Sequence, residues 1–328
     1  MFGPRHPGAS MEPREANAVD RRARAHWTRR NATGRIGVVP AIRLTVVALV
    51  VTAGLLPSAA RAAPADDRLT SVNTFAFAIG DGTLRGDVVR RYRDYRLIVV
   101  DGQEVTAAQV RRLRRARHIV LGYVSVGTVE SWRPWYGRAK RYALEPYDDW
   151  PDERYADTSA AGYRTLMAGS VAPALLRKGL DGLFLDNVDM VREHRAQRRG
   201  MFTLVRQLRK VVDREPGRYL FAQNGEDLIG PVVPMLDGWN REDVTATYDH
   251  ERSRYALVPR AERRAAVSAL RRLRARGLLV TATDYTSSTE SASTRTAVRV
   301  ACAAGAVPFV SDIALRRIPA RAPRCAAH

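Results

Sequence analysis

The stretch Lys178-Gly-Leu-Asp-Gly-Leu-Phe-Leu-Asp-Asn-Val-Asp189 decides the fold of this 328-residue chain. Residues 182–186 in its middle form a short apolar run that ends in a carboxylate, which is typical of a strand buried on both faces. An amphipathic helix is predicted just before that run, over 161–178. A helix that leads into a buried strand is half of a βα unit, so the stretch predicts a parallel sheet covered by helices.

The same alternation extends in both directions from this unit. Eight apolar runs predict strands, at 74–79, 97–101, 119–126, 182–186, 219–224, 236–240, 278–284 and 307–310. Seven segments with helical periodicity lie between them, at 87–95, 106–117, 161–178, 195–213, 227–234, 260–276 and 294–304. Gly277 and Gly305 follow the last two helices, at the position where a helix C-terminus favours glycine.

This pattern predicts an α/β fold, a single (β/α)8 TIM barrel, over residues 63–328. The length fits, because such barrels typically take roughly 250 residues. An open doubly wound sheet is the alternative. It normally carries a glycine-rich phosphate loop after its first strand, and Gly80-Asp-Gly82 matches that loop poorly. The long connections at 127–160 and 248–259 are predicted as loops, and the first of them is rich in Trp and Tyr.

The first 62 residues differ from the rest and predict a secretory signal peptide. A basic segment precedes a mostly apolar run at 36–56, and Ala60-Arg61-Ala62 then fits a signal-peptidase site. We therefore predict cleavage near Ala62 and a secreted protein. An uncleaved membrane anchor is the alternative, but the uncharged stretch after Arg43 is shorter than the roughly 20 residues of a spanning helix, so no stable span is expected. Translation from Met11 or a later residue is a further alternative.

The net charge of +20 at pH 7 comes almost entirely from arginine, since the chain has only three lysines. Most of the arginines lie on the polar side of amphipathic helices, as in 110–117 and 261–276. No zinc-finger spacing or aromatic-basic segment accompanies them. We therefore predict no nucleic-acid partner.

The two cysteines leave two alternatives open. In an exported protein, Cys302 and Cys325 could form a disulfide that ties the tail to the last helix. They could equally remain two free thiols.

Acidic side chains accumulate at the carboxyl ends of the predicted strands. In a TIM barrel these ends meet on one face, which is where such enzymes place their chemistry. Carboxylates brought together there raise one another's pKa and require a counter-charge, a metal or a cationic substrate. The acids concerned are Asp101, Glu130, Asp186, Asp189, Glu226, Glu242, Asp243, Asp284 and Asp312.

The sequence lacks the motifs of two common types of catalytic site. No His-x-His or His-Glu-x-x-His spacing predicts a zinc site, and no Gly-x-Ser-x-Gly predicts a serine hydrolase. A Mg²⁺ or Ca²⁺ site built from carboxylates alone is left open, although we predict neither a metal nor a cofactor. Glycoside hydrolysis needs only two carboxyl groups on opposite sides of the scissile bond, and is therefore favoured.

Several segments at these strand ends resemble one family in order and spacing. They are Gly122-Tyr-Val-Ser-Val-Gly-Thr-Val-Glu-Ser-Trp-Arg133 and the stretch 178–189, then Asn224-Gly225, Asp237-Gly238, Glu242 and Asp284-Tyr285. Over 70–315 the chain resembles the endo-α-1,4-polygalactosaminidase family of glycoside hydrolases, with 178–189 as the most specific segment. The resemblance implies a TIM barrel with catalytic carboxyls at the ends of strands four and six.

The resemblance also implies roles for individual residues. Asp186 is the implied nucleophile and Glu242 the implied general acid/base, with Asp189 as the second candidate for the nucleophile. Glu130 and Arg133 are implied to bind substrate, with an ion pair inside the loop as the alternative. The full set of implied substrate-binding residues is Asp101, Glu130, Arg133, Asp189, Asn224, Asp284 and Tyr285.

The implied substrate is a polysaccharide of α-1,4-linked galactosamine, whose free amines are cationic near neutral pH. The enzyme is expected to act as a monomer. A catalytically inactive barrel that binds cell-envelope or matrix glycan is the alternative function.

Two questions about the site are left open by the sequence. Arg241 precedes Glu242, and a guanidinium beside a general acid lowers the pKa of that acid unless it points away. Retention and inversion of configuration differ in the separation of the two carboxyls, about 5–5.5 Å against about 6.5–9.5 Å. The sequence does not choose between them.

Overall fold

The computed structural model describes residues 67–147, 150–226 and 230–326, and it confirms the barrel. Eight parallel strands follow one another in chain order, so every connection brings the next strand beside the previous one. Parallel register links each strand to its neighbour. The strands are β1 (Phe75–Ala78), β2 (Leu97–Asp101), β3 (Ile119–Ser125), β4 (Gly182–Asp186), β5 (Tyr219–Gln223), β6 (Gly238–Glu242), β7 (Leu279–Tyr285) and β8 (Val307–Ser311).

The two end strands meet, which nearly closes the sheet. The rings of Phe75 in β1 and Phe309 in β8 lie edge to face, with centroids 5.9 Å apart. Just beyond β1, the amide of Gly80 donates to the carbonyl of Leu315 at 3.3 Å. The strands are buried almost throughout, because side chains fill the inside of the barrel and helices cover the outside.

The helices pack their apolar faces on the outside of the barrel. The predicted helix over 161–178 is divided by a π-helical turn, Met167–Val171. Pro173 follows this turn and has no amide hydrogen, so it removes one bond of the helical ladder. The helices are α1 (Asp67–Thr70), α2 (Val88–Tyr92), α3 (Ala107–Arg115), α4 (Tyr136–Ala139), α5 (Ala161–Leu166), α6 (Ala172–Leu176), α7 (Arg198–Val212), α8 (Arg260–Ala275) and α9 (Ala292–Ala303).

Two predictions before and within β6 are corrected. The sixth strand covers Gly238–Glu242 instead of 236–240, so Glu242 ends the strand and does not follow it. The helix predicted over 227–234 is wrong in its described part, which is a turn at 230–232 and a 3₁₀ turn at Val233–Met235. Pro231 and Pro234 interrupt helical hydrogen bonding there. Residues 227–229 lie outside the described residues.

The two long connections contain strands and are not irregular loops as predicted. After β3, the strand Trp150–Ala156 pairs on either side with Thr128–Glu130 and Ala143–Tyr147 in an antiparallel sheet. After β6, the strands Ala246–Asp249 and Arg254–Leu257 form a hairpin. Both structures follow the carboxyl ends of barrel strands, so they build walls around that face.

Three helices end in the same way. Gly277 after α8 and Gly305 after α9 have φ angles of 87° and 76°, which confirms the predicted glycine caps. After α3, Arg117 holds the same position with φ of 68°. In each case the amide of the following residue donates to the carbonyl five positions back, for example from His118 to Leu113 at 3.2 Å. A non-glycine residue in this conformation costs about 1–2 kcal/mol.

The two cysteines form a disulfide, which decides between the alternatives that the sequence left open. Cys302 in α9 is joined to Cys325 in the tail, 23 positions along the chain. The tail is therefore held against the last barrel helix.

Replacing both Cys302 and Cys325 by serine is expected to lower the free energy of unfolding by about 3 kcal/mol. A cross-link over a loop of this length removes chain entropy from the unfolded state, and the variant regains it. Urea denaturation measures the difference. Reductant should lower the wild-type midpoint to that of the variant, and equal midpoints before reduction would contradict the prediction.

The predicted signal peptide, its cleavage near Ala62 and the start of translation lie outside the described residues. Among the helices within the described ranges, none is long and apolar enough to cross a membrane.

Candidate active site

Asp186 ends β4 and is partly exposed at the carboxyl face of the barrel. Its Oδ2 accepts a hydrogen bond from the Tyr123 hydroxyl at 2.7 Å. Its Oδ1 accepts one from Gln223 Nε2 at 2.5 Å and another from the backbone amide of Asn187 at 2.7 Å. Three donors fix the orientation of this carboxyl and favour its ionised form.

Gln223 is itself oriented by buried hydrogen bonds that cross β5, β6 and β7. The side-chain amide of Asn240 donates to Gln223 Oε1 at 2.9 Å, so the nitrogen of Gln223 faces Asp186. Asn240 in turn accepts from the hydroxyls of Thr281 and Thr283, at 2.8 and 3.2 Å. Gln223 was not among the residues predicted from the sequence, although a polar residue near the end of an apolar strand was a usable signal.

Glu242 ends β6, on the other side of β5 from Asp186. Its Oε2 accepts from Asn224 Nδ2 at 2.8 Å, and its Oε1 accepts from the Tyr285 hydroxyl. Asn224 also accepts the backbone amide of Glu242 at 3.1 Å. The structure therefore brings two of the predicted binding residues, Asn224 and Tyr285, into direct contact with the predicted acid.

Arg241 does not pair with the carboxyl of Glu242. Its Nε lies 3.3 Å from Glu226 Oε1, and its Nη1 donates to Asn224 Oδ1 at 3.1 Å. The amide group of Asn224 stands between the two side chains, since it accepts from Arg241 through Oδ1 and donates to Glu242 through Nδ2. The pKa of Glu242 is accordingly raised, and not lowered as a neighbouring arginine would make it.

The pKa values of Asp186 and Glu242 are both raised, and the two groups influence each other. Burial is the main cause for Glu242, and the charges of Asp186 and Asp243 add to it. Burial also raises the pKa of Asp186, while the hydrogen bonds from Tyr123 and Gln223 oppose the rise. Carboxyls that interact in this way titrate as a pair. Asp186 accepts three hydrogen bonds and Glu242 accepts two, which favours the ionised form of Asp186 over that of Glu242.

Asp189, the second nucleophile candidate, lies in the 3₁₀ turn Val188–Arg192 after β4. Burial, and next the charge of Asp186, raise the pKa of Asp189 to about 6. Gly225 packs closely against it, since a Cβ at Gly225 would lie 2.6 Å from the Asp189 Cβ. Asp189 thus stands beside Asp186 on a turn, whereas Asp186 is fixed to a barrel strand.

Asp101, Glu130 and Arg133 form a buried ion-pair network beside the loop after β3. Arg133 binds both carboxylate oxygens of Glu130, at 2.6 and 2.7 Å, and donates to Asp101 Oδ2 at 2.7 Å. All three residues are at most 6% exposed. The geometry matches the alternative of an ion pair within the loop, and direct contact of these residues with substrate stays a prediction.

Asp284 is buried in β7 and anchors the connection after β6. Its Oδ1 accepts the backbone amides of Thr245 and Ala246, at 2.6 and 2.8 Å. Burial raises the pKa of Asp284 to about 7. These contacts hold the start of the hairpin wall, and the predicted contact of Asp284 with substrate stays a prediction.

Comparison with protein families identifies the chain. The model of glycoside-hydrolase family GH114 matches residues 57–325. The chain belongs to family GH114. It is therefore a glycoside hydrolase, as the resemblance implied. A search of curated proteins found no match.

Several solved structures share the barrel fold of this chain. The glycoside hydrolase domain of PelA from Pseudomonas aeruginosa aligns with a TM-score of 0.64 and 23% identity, over 76% of this chain and 97% of that one. Ega3 from Aspergillus fumigatus, solved in complex with galactosamine, aligns with a TM-score of 0.58 and 18% identity, over 77% of this chain and 95% of that one. An alpha-galactosidase from Thermus thermophilus aligns with a TM-score of 0.51 and 13% identity, over 74% of this chain and 58% of that one. At these identities the likeness establishes the shared fold.

Glu153, in the antiparallel sheet after β3, is a buried acid that was not predicted from the sequence. Glu153 lies directly opposite Glu130 in the antiparallel register, and the two are 7% and 2% exposed. Arg133 is bound to Glu130 and not to Glu153. Glu153 instead accepts a hydrogen bond from the Thr128 hydroxyl at 2.6 Å. Burial and then the charge of Glu130 raise the pKa of Glu153 to about 8, so it is mostly neutral at pH 7. Only the strand register reveals this pairing.

Replacing Glu153 by glutamine is expected to stabilise this GH114 enzyme at alkaline pH. The pKa of Glu153 is higher in the folded state than in the unfolded chain, so the wild type loses stability as pH rises from about 4.5 to 8. Ionisation of Glu153 in the folded protein therefore costs about 5 kcal/mol of stability, and glutamine cannot ionise. Urea denaturation at pH 5 and pH 9 measures the difference in the free energy of unfolding between Glu153→Gln and the wild type. The exposed Glu262→Gln is the matched control. A difference that does not change with pH would contradict the raised pKa of Glu153.

No group of three or more His, Cys, Asp or Glu side chains in the described ranges of this GH114 enzyme has the arrangement of a metal site.

Proposed function

We propose that the enzyme cleaves polysaccharide of α-1,4-linked galactosamine, with Asp186 as the nucleophile and Glu242 as the general acid/base. One observation carries the proposal: the carboxyls of Asp186 and Glu242 end β4 and β6, on either side of β5, at the same face of the barrel. A glycosidase needs one of its two carboxyls ionised and the other protonated before the bond breaks.

The proposed reaction has two steps. In the first, Asp186 attacks the anomeric carbon while Glu242 gives its proton to the glycosidic oxygen, which leaves with the cleaved chain. In the second, Glu242 takes a proton from water, and the water oxygen displaces Asp186 from the anomeric carbon. Such a double displacement retains the anomeric configuration.

The hydrogen-bond partners support this division of roles. Asp186 must be ionised to attack, and the Tyr123, Gln223 and Asn187 donors favour that state. Glu242 must carry a proton, and burial together with its anionic neighbours favours the neutral form.

Charge and shape support a cationic sugar polymer as the substrate. The acids of the carboxyl face stand in a protein whose net charge is +20, so the face attracts amines that the rest of the surface repels. Trp132 and Trp150, in the connection after β3, are 52% and 43% exposed. Exposed indole rings offer faces on which sugar rings stack. The galactosamine in the Ega3 structure supports the same sugar here.

We further propose that the enzyme is secreted and acts as a monomer. The predicted signal peptide supports export, and the Cys302–Cys325 disulfide fits an oxidising compartment.

Product analysis tests the substrate assignment. The enzyme is incubated with de-N-acetylated and with acetylated galactosaminan, and the products are separated by mass. We expect shorter oligosaccharides with retained anomeric configuration from at least one polymer, and none with Asp186→Asn. Absence of cleavage in both polymers would overturn the substrate, and inverted products would overturn the nucleophilic role of Asp186.

A further inference from the structure

A pocket lined by arginines lies at the end of the barrel opposite the candidate active site. Its volume is about 480 Å³. Its walls come from segments just before β1, β2 and β3 and from α3, so it opens at the amino ends of the strands. Besides His118, the lining residues are Arg68, Arg96, Arg111, Arg114, Arg115 and Arg117.

Only some of this positive charge is matched within the pocket wall. The buried carboxylate of Asp181 lies 3.0 Å from Arg68 Nη2 and 3.2 Å from Arg114 Nε. Arg111, Arg115 and Arg117 are exposed and form no ion pair with any other residue that the structure describes. Like charges held this close repel one another, and a bound anion would offset the repulsion.

Arg117 occupies a backbone position at which the other two helix ends of this kind have glycine. The equivalent positions after α8 and α9 are Gly277 and Gly305, and all three have φ between 68° and 87°. Arginine is strained in this left-handed conformation, whereas glycine is not. Strain of this kind is concentrated at functional sites.

His118 lies in the wall of the same pocket and is 5% exposed. Its Nε2 is buried and has no hydrogen-bond partner among the described residues. Its Nδ1 lies 2.6 Å from the carbonyl of Tyr95, which can only accept, so Nδ1 carries the proton. Nε2 of the neutral ring is then an acceptor. A hydrogen phosphate group offers anionic oxygens for arginines, and its hydroxyl is a donor of the kind that Nε2 lacks.

We propose that this pocket binds a compact, soluble phosphate compound through Arg111, Arg115 and Arg117. The guanidinium fork matches two phosphate oxygens at once, which makes arginine the preferred residue for such groups. A concave pocket of about 480 Å³ suits a di- or triphosphate group better than the flat surface of a duplex. The site is separate from the carboxyl face and does not depend on the proposed substrate.

Calorimetric titration of the full chain with tripolyphosphate tests the proposal, at constant ionic strength. We expect saturable binding to one site. Arg117→Gly should weaken it about fivefold, or about 1 kcal/mol, while the melting temperature stays the same or rises because the strained φ is relieved. The combination Arg111→Ala, Arg115→Ala, Arg117→Gly should weaken binding at least about thirtyfold.

A matched control separates this site from general charge. Arg260→Ala, Arg264→Ala, Arg276→Ala removes the same charge from α8 and its C-cap, outside the pocket, and should change affinity less than about twofold. An equal loss in both triple variants would overturn the proposal, as would the absence of saturable binding by the wild type. Binding to phosphatidylglycerol vesicles or duplex DNA without binding to tripolyphosphate would also overturn it.

Discussion

Asp186→Asn is expected to lower kcat on galactosaminan by about 10⁴-fold, or about 5.5 kcal/mol in the activation free energy. The amide has the shape of the carboxyl but cannot form the glycosyl ester. Because the side chain is partly exposed and its neighbours are neutral donors, the barrel should fold unchanged and glycan binding should persist. Turnover and binding are measured on the same preparations.

Asp189→Asn is the matched control for this variant, since it makes the same chemical change three residues further along. We expect a smaller loss of turnover, because Asp189 lies on the turn after the strand. If Asp189→Asn abolishes turnover while Asp186→Asn does not, Asp189 is the nucleophile. Neutralising Asp186 also removes an anionic neighbour, so the pKa of Glu242 should fall in Asp186→Asn.

Glu242→Gln is expected to lower kcat on the polymer by about 10²–10⁴-fold, because the leaving oxygen no longer receives a proton. The wild type should lose activity as pH rises through the raised pKa of Glu242, since the acid is then deprotonated. The variant should lack this alkaline limb. A pH profile of kcat/KM from pH 5 to 9 measures both effects.

The leaving group provides the sharper test of Glu242. Cleavage of an oligosaccharide with an activated aryl leaving group needs little proton donation. Glu242→Gln should therefore lower the rate of that cleavage step much less than it lowers kcat on the polymer. Glu226→Gln, which changes the partner of Arg241 on the neighbouring strand end, is the control and should keep the alkaline limb. Equal losses with both substrates would contradict proton donation by Glu242.

The barrel itself could be predicted because its signals are local. Each strand is a short apolar run, and helix-periodic segments separate most of them, which together lead to one fold. Gly277 and Gly305 were equally readable, since a helix end needs left-handed backbone there. The strands in the two long connections were not, because their pairing depends on distant partners.

The site was predictable only in part, for a related reason. Asn224 and Tyr285 could be placed near Glu242 by strand-end position and family resemblance. The orientation of Gln223, which depends on hydroxyls two strands away, has no local signal. Whether Arg241 would lower the pKa of Glu242 depended on which way it points, which only the packed strands determine.

The hydrogen bonds that orient Gln223 have a consequence for refolding. Thr281 and Thr283 in β7 hold Asn240 in β6, which holds Gln223 in β5, which holds Asp186 in β4. Four consecutive strands must therefore be docked before the carboxyl takes its working orientation. During renaturation, recovery of turnover should lag behind recovery of the helical circular-dichroism signal, so enzyme activity reports the completion of the second half of the barrel.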